Sequence, residues 1–152
     1  MKLEHKIPPV LVVAIVSALM FATNQIFTHL RIEFQFRLEA LTLLITFGIA
    51  LATAGVASFK IHKTTVNPLN TENVSSLVTS GIYRYSRNPM YVGMLICLIG
   101  VFVFIANPIN APYPALFVWY MNTFQIKPEE RVLSKVFSSD YDNYKARVRR
   151  WF

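Results

Sequence analysis

The chain has 152 residues, of which 54% are hydrophobic and only 15% charged, and its mean hydropathy is +0.41. Soluble domains carry about 25% charged residues, so this is a membrane balance, and the length allows a single domain over 1–152. The formal charge of +7 does not indicate nucleic acid, because the cations flank apolar runs and form no stripe interleaved with aromatics.

A first uncharged stretch, 10–27, follows Pro8-Pro9 and is long enough to cross a bilayer once. Lys2 and Lys6 precede it as they would a signal peptide. The stretch is long for that role and no small-x-small cleavage site follows, so it reads as a retained helix. A second uncharged stretch covers 40–59. From Arg87 to Lys127 there are then 39 residues without a charged side chain, about twice a bilayer's ~30 Å apolar thickness as helix. The middle of that run, Asn107-Pro108-Ile109-Asn110-Ala111-Pro112-Tyr113-Pro114, is dense in turn formers and helix breakers. The run therefore predicts a transmembrane hairpin with spans at 90–107 and 112–126, the second borrowing from the turn to begin near 110. Cys97 lies within it and reads as a packing residue.

The connection over 61–80 is too polar to span, and Asn67-Pro68 and Asn70 mark turns in it. The tail over 128–150 reads as an amphipathic helix, with Leu133, Val136, Phe137, Tyr141 and Tyr144 near one face. Pro128 followed by Glu129-Glu130 suits a helix start. The fold class is thus all-α and integral membrane, with about four transmembrane helices and a C-terminal cytoplasmic helix. Thirteen of the fifteen cations fall on one side of these spans, Arg31 and Arg37 being the two exceptions. That asymmetry places both termini in the cytoplasm.

The hairpin would bring Gly81 to Gly93 and the Glu129-Glu130 pair to the same cytoplasmic face. Two adjacent carboxylates repel, so the pair wants cations or hydrogen-bond donors; capping and surface ion pairs would satisfy it as well as a ligand. Arg87-Asn88-Pro89 can equally be a basic interfacial stop, with Pro89 starting a span and Tyr83, Tyr85 and Tyr91 forming an aromatic belt. Gly93, one turn into the span, permits close approach of a helix or a ligand. His5, His29 and His62 are scattered over different segments and sides, which argues against a metal site.

In order along the chain come Leu77-Val78-Thr79-Ser80-Gly81-Ile82-Tyr83, Arg87-Asn88-Pro89-Met90-Tyr91-Val92-Gly93, Glu129-Glu130 with Leu133 and Phe137, and Tyr141, Tyr144, Val148 and Arg150-Trp151. This closely resembles the superfamily of isoprenylcysteine carboxyl methyltransferases and phospholipid methyltransferases, over roughly 60 to the C-terminus. Two departures stand out: Asn88 where many members have His, and Ser138 where a glycine is usual.

The resemblance implies an S-adenosylmethionine-dependent membrane methyltransferase acting on a lipophilic acceptor, of the isoprenylcysteine carboxylate or phospholipid amine kind, that enters from the bilayer. It implies cofactor contacts from Leu77, Val78, Gly81, Tyr83, Arg87, Asn88, Pro89, Tyr91, Gly93, Met94, Glu129, Glu130, Tyr141 and Tyr144. Glu129 and Glu130 would accept from ribose hydroxyls and an amino group, and Arg87 with the start of the third span would take the cofactor carboxylate. Arg150 would orient a carboxylate acceptor, and Glu130 is the candidate base for an amine acceptor. Two other readings stay open: an NADPH-dependent membrane reductase of the sterol-reductase type, which has a related Arg-His-x-x-Tyr-x-Gly arrangement, and a small non-enzymatic four-helix membrane protein.

Overall fold

In the computed structural model, residues 6–62 and 76–152 are described. The turns expected at Asn67-Pro68 and Asn70 lie outside them, as do Lys2, His5 and Lys63. All regular structure among the described residues is helical: α1 (Pro9–Ile26), α2 (Arg37–Ile61), α3 (Pro89–Ile105), α4 (Pro112–Met121) and α5 (Lys127–Arg147), joined by short 3₁₀ turns and one π-helical turn, Asn122–Ile126. α1 and α2 are long and apolar enough to cross a membrane, and α3 is a shorter apolar helix. Large apolar side chains point outward from both, among them Val10, Leu43 and Phe47. That is the inverse of an aqueous surface and suits a lipid environment.

One core joins α1, α3 and α4: Met20, Leu98, Phe117 and Met121 are sealed from solvent, with Val12, Val16 and Leu95 around them. α2 is attached differently. Its only buried residues are Gly48 and Gly55, yet it makes the largest helix–helix contact among the described residues, antiparallel against α3. A Cβ on Gly48 would stand 2.6 Å from the Gly93 carbonyl oxygen, and one on Gly93 would stand 2.9 Å from the Ala52 amide nitrogen. The backbones touch because these side chains are missing, and dispersion along the seam holds the pair together.

The hairpin turn is built as the run of breakers predicts. Ala106 caps α3 in the left-handed conformation, φ 53° and ψ 40°, and Pro112 opens α4. The buried Asn107 side chain donates to Asn24 Oδ1 (3.1 Å) and to the Phe27 carbonyl (2.9 Å), tying the turn to the end of α1.

Pro128 stands at the start of α5 with Glu129 and Glu130 in its first turn, as expected, but no break precedes it: Met121, Asn122, Ile126 and Lys127 all keep helical angles and the chain winds on from α4 into α5. Pro128 has no amide hydrogen to donate backward, and the wider π turn immediately before it absorbs the misfit. The helical path breaks later, at Ser138, where φ is 44° and ψ is −118°.

Candidate active site

The site forms where the start of α3, the start of α5 and the extended segment 148–151 converge. Its entry is shaped by Gly81, whose φ of +60° is open to glycine at no steric cost and whose missing Cβ would meet only Ser58 Oγ at 4.0 Å. The 3₁₀ turn Gly81–Arg84 then buries Tyr83, whose ring packs edge-on against Phe59 of α2 at 5.3 Å. The end of α2 steadies the same segment. His62 Nδ1 donates to the Ser58 carbonyl (2.8 Å), which leaves Nε2 to pair with Ser80 Oγ (3.1 Å).

Glu130 is held between two arginines. Arg87 Nη2 donates to Oε1 at 2.7 Å, while Arg150 bonds both oxygens, Nε to Oε1 at 3.0 Å and Nη2 to Oε2 at 2.6 Å. The two-pronged Arg150 contact is the geometry in which guanidinium and carboxylate match best. Burial by itself would push the Glu130 carboxyl up, but the hydrogen bonds and charges of Arg150 and Arg87 outweigh it and hold the group below its ordinary range. The same hydrogen bond to Glu130 raises the Arg150 guanidinium.

Glu129, one residue earlier, turns to a different environment. It accepts a hydrogen bond from the Tyr91 hydroxyl at 2.7 Å. Burial raises its carboxyl to about 7; the Tyr91 hydrogen bond opposes the rise and the neighbouring Glu130 charge adds to it. The adjacent carboxylates are thus split into one that stays ionised and one that changes charge near neutrality.

Behind the pair lie Tyr141 and Tyr144, both buried, the latter donating from its hydroxyl to the Tyr83 carbonyl at 2.6 Å. Burial raises both phenols above the usual tyrosine value, and the Glu130 charge adds to the effect at Tyr141. Arg87 also reaches the far segment, Nη1 donating to the Val148 carbonyl at 2.5 Å, while its buried Nε has no partner.

Of the residues singled out in the sequence, Arg87, Asn88, Tyr91, Glu129, Glu130 and Arg150 come together here, with Tyr83, Tyr141 and Tyr144 as their support. Pro89 is fully buried at the first turn of α3, and Val78 is buried in the extended approach beside the half-buried Leu77. Gly93 is taken up by α2, not by the carboxylates, and Met94 packs on the α1–α3–α4 core. Two further participants escape a reading of the sequence. Ser86 donates to the Arg150 carbonyl (3.3 Å) and accepts from the Asn88 amide (3.1 Å), and Asn122 in the π turn accepts from Trp151 Nε1 (3.1 Å). Nothing marks Ser86 beforehand. For Asn122 the only signal is that a tryptophan between apolar and wet surroundings seeks a partner for its N–H.

The chain resembles known proteins over most of its length. Residues 36–140 match the family described as phospholipid methyltransferase. The chain is 34% identical over 106 residues to a mouse protein-S-isoprenylcysteine O-methyltransferase, which is 70% of this chain and 38% of that protein. Its similarity to protein-S-isoprenylcysteine O-methyltransferase B of Arabidopsis thaliana is 35% over 99 residues, 65% of this chain and 48% of the relative. To the Saccharomyces cerevisiae protein-S-isoprenylcysteine O-methyltransferase it is 33% over 100 residues, 66% and 40% respectively. The chain therefore spans less than half the length of each of these relatives. The match over 36–140 takes in α2, the α3–α4 hairpin and both carboxylates, and on it the chain belongs to the phospholipid methyltransferase family.

Proposed function

We propose that this protein is an integral membrane methyltransferase that uses S-adenosylmethionine to methylate a lipophilic acceptor at the membrane edge. The observation that carries the reading is the split pair: Glu130 neutralised between Arg87 and Arg150, and Glu129 buried beside Tyr91. The donors and acceptors present fit the cofactor. Glu129 can accept from its amino group or ribose hydroxyls, and the unpartnered Nε of Arg87 can donate to its carboxylate. Val78 and Tyr91 offer apolar surface for adenine. Bound there, the cofactor supplies a methyl group on a sulfonium sulfur, open to in-line displacement.

The protein's part is to align donor and acceptor and to exclude water, since the reaction requires little covalent help. The Arg150 side chain remains one-third exposed although Nε and Nη2 are engaged by Glu130. It would hold a carboxylate acceptor oxygen in line, and the names of the relatives favour an acceptor of the isoprenylcysteine type. The phospholipid amine is the second reading, favoured by Glu129: a carboxyl raised to about 7 can take a proton near neutral pH. On this reading Glu129 is the ligand-facing carboxylate and the base, whereas the sequence alone gives cofactor contacts to both glutamates and the base role to Glu130.

Four spans, with the α3–α4 hairpin crossing and returning and both termini in the cytoplasm, complete the reading, and the acceptor enters laterally from lipid. The test is incubation in detergent with methyl-labelled S-adenosylmethionine and either an N-acetylated S-prenylcysteine or a total lipid extract. Label is expected in the prenylcysteine ester; label in a phospholipid amine would select the second reading. A melting shift with NADPH and none with S-adenosylmethionine would overturn both.

A further inference from the structure

Segment 148–151 leaves α5 in an extended conformation, with Val148 at φ −121° and ψ 131°. Three successive carbonyls of this segment are taken by Arg87 and Asn88, just before α3. Arg87 Nη1 donates to Val148 O (2.5 Å), the Arg87 amide donates to Arg149 O (3.0 Å), and Asn88 Nδ2 donates to Arg150 O (3.0 Å). The Ser86 hydroxyl donates to that last carbonyl too (3.3 Å). On the other side of Arg150, Trp151 is fastened to Asn122.

Asn88 is therefore not used as its position would suggest. It stands at the N-cap of α3, where an asparagine ordinarily bonds the first turn, yet its side chain makes no cap and reaches across to residue 150 instead. An arginine side chain has many rotamers, and a two-pronged bond to a carboxylate tolerates little displacement of the backbone that carries it. Pinning the Arg150 carbonyl and the next side chain removes that displacement.

Resting on the methyltransferase reading above, we propose that Asn88 is a positioning residue for Arg150. Its side-chain amide fixes the guanidinium through the Arg150 carbonyl and touches neither cofactor nor acceptor. Any side chain with an N–H of similar reach should serve, histidine included, whereas an isosteric group without a donor should not.

Asn88→Asp keeps the shape and removes the donor. Turnover of the acceptor should fall about three- to tenfold, the worth of one hydrogen bond, with affinity for S-adenosylhomocysteine unchanged, and Asn88→His should restore most of the loss. In an Arg150→Ala background the same Asn88→Asp change should have no further effect, since no guanidinium is left to misplace. Losses that multiply across the two backgrounds, or loss of S-adenosylhomocysteine affinity in Asn88→Asp, would overturn the proposal.

A readout independent of activity separates this idea from the reading beneath it. The chain has two tryptophans, so in a Trp119→Phe background emission comes from Trp151 alone. Asn88→Asp should increase its quenching by acrylamide, and Asn88→His should not. Should the wild type transfer no methyl group, the enzymatic reading falls and the anchoring of Arg150 stands or falls on the quenching. Unchanged quenching in Asn88→Asp overturns it.

Discussion

Tyr91 and Glu129, 38 residues apart, meet where the two arms of the hairpin come back together, the phenol donating to the carboxylate at 2.7 Å. One hydrogen bond thus joins the first turn of α3 to the first turn of α5, and it opposes the rise that burial imposes on the Glu129 carboxyl.

That acid gives the protein a pH signature. The Glu129 carboxyl lies at about 7 in the folded chain, against 4.5 as its ordinary value. Between those values the native state keeps a proton that the unfolded state has lost, so stability falls as pH rises through the window. Melting temperature in detergent should decline from about pH 5 to about pH 7 more steeply than in Glu129→Gln. Tyr91→Phe removes the bond that opposes the rise and should move the decline to higher pH. Identical melting profiles in wild type and Glu129→Gln would contradict this origin.

The two glutamates should separate by mutation. Glu129→Gln should melt at or above the wild-type temperature at neutral pH, since the amide has no charge to bury, but bind S-adenosylhomocysteine ~10- to 100-fold more weakly, the worth of a charge-assisted bond. Glu130→Gln leaves Arg87 and Arg150 facing each other without a counter-charge, and breaking such a buried group costs ~3–5 kcal/mol. Its defect should therefore be a large loss of melting temperature. A Glu130→Gln protein that melts normally would show that the arginines do not depend on it.

The glycines differ in kind. Gly93→Ala must push α2 from α3, since the new Cβ would stand 2.9 Å from Ala52 N and 3.0 Å from Ala52 Cβ. Overpacking of that sort costs ~1–3 kcal/mol. Gly81→Ala meets open space and should cost only the ~1–2 kcal/mol of a left-handed backbone at an L-residue. Thermal denaturation of the two variants should rank them in that order, and equal losses would argue against close packing at the seam.

Ser138 should yield a more stable protein when replaced. Its φ of 44° with ψ of −118° belongs to glycine's territory, and a side chain there costs ~1–3 kcal/mol. Ser138→Gly should raise the melting temperature, and Ser138→Val should lower it. The reverse order would mean that the bend is not strained.

Topology is tested with fusions. A reporter after Phe152 should read cytoplasmic and one inserted near Asn110 should read external, as thirteen of fifteen cations lie on the side of the former. A C-terminal reporter on the external side would remove the carboxylates from the compartment that holds the cofactor.

The helix positions were legible because charge is excluded from apolar spans and because prolines and asparagines crowd into a single turn. That the Arg87 segment and the glutamate pair share one face followed from the length of the uncharged run and the breakers at its middle. What stayed hidden was a matter of local alternatives of similar energy. Pro128 before two acids suits a helix start, and nothing in the sequence marks the π turn over Asn122–Ile126, with Gln125 and Ile126 buried, that carries α4 into it without a break. Which arginine would face which carboxylate depends on the path of 148–151. That path is fixed by carbonyl oxygens, which look the same in every residue and leave no trace in a sequence.

The winding of α4 into α5 through the π turn makes one rod of an apolar piece and the piece that bears the carboxylates, running about 39 Å from Pro112 to Phe137 at 1.5 Å per residue. A rod of that kind transmits tilt. A lipid that wedges against α4 cannot do so silently, because the far arm of the lever carries Glu129 and Glu130. The Trp151–Asn122 bond ties segment 148–151, and Arg150 with it, to the π turn of that rod, so on the proposed function a tilt of α4 would reach the carboxylates and their arginine together.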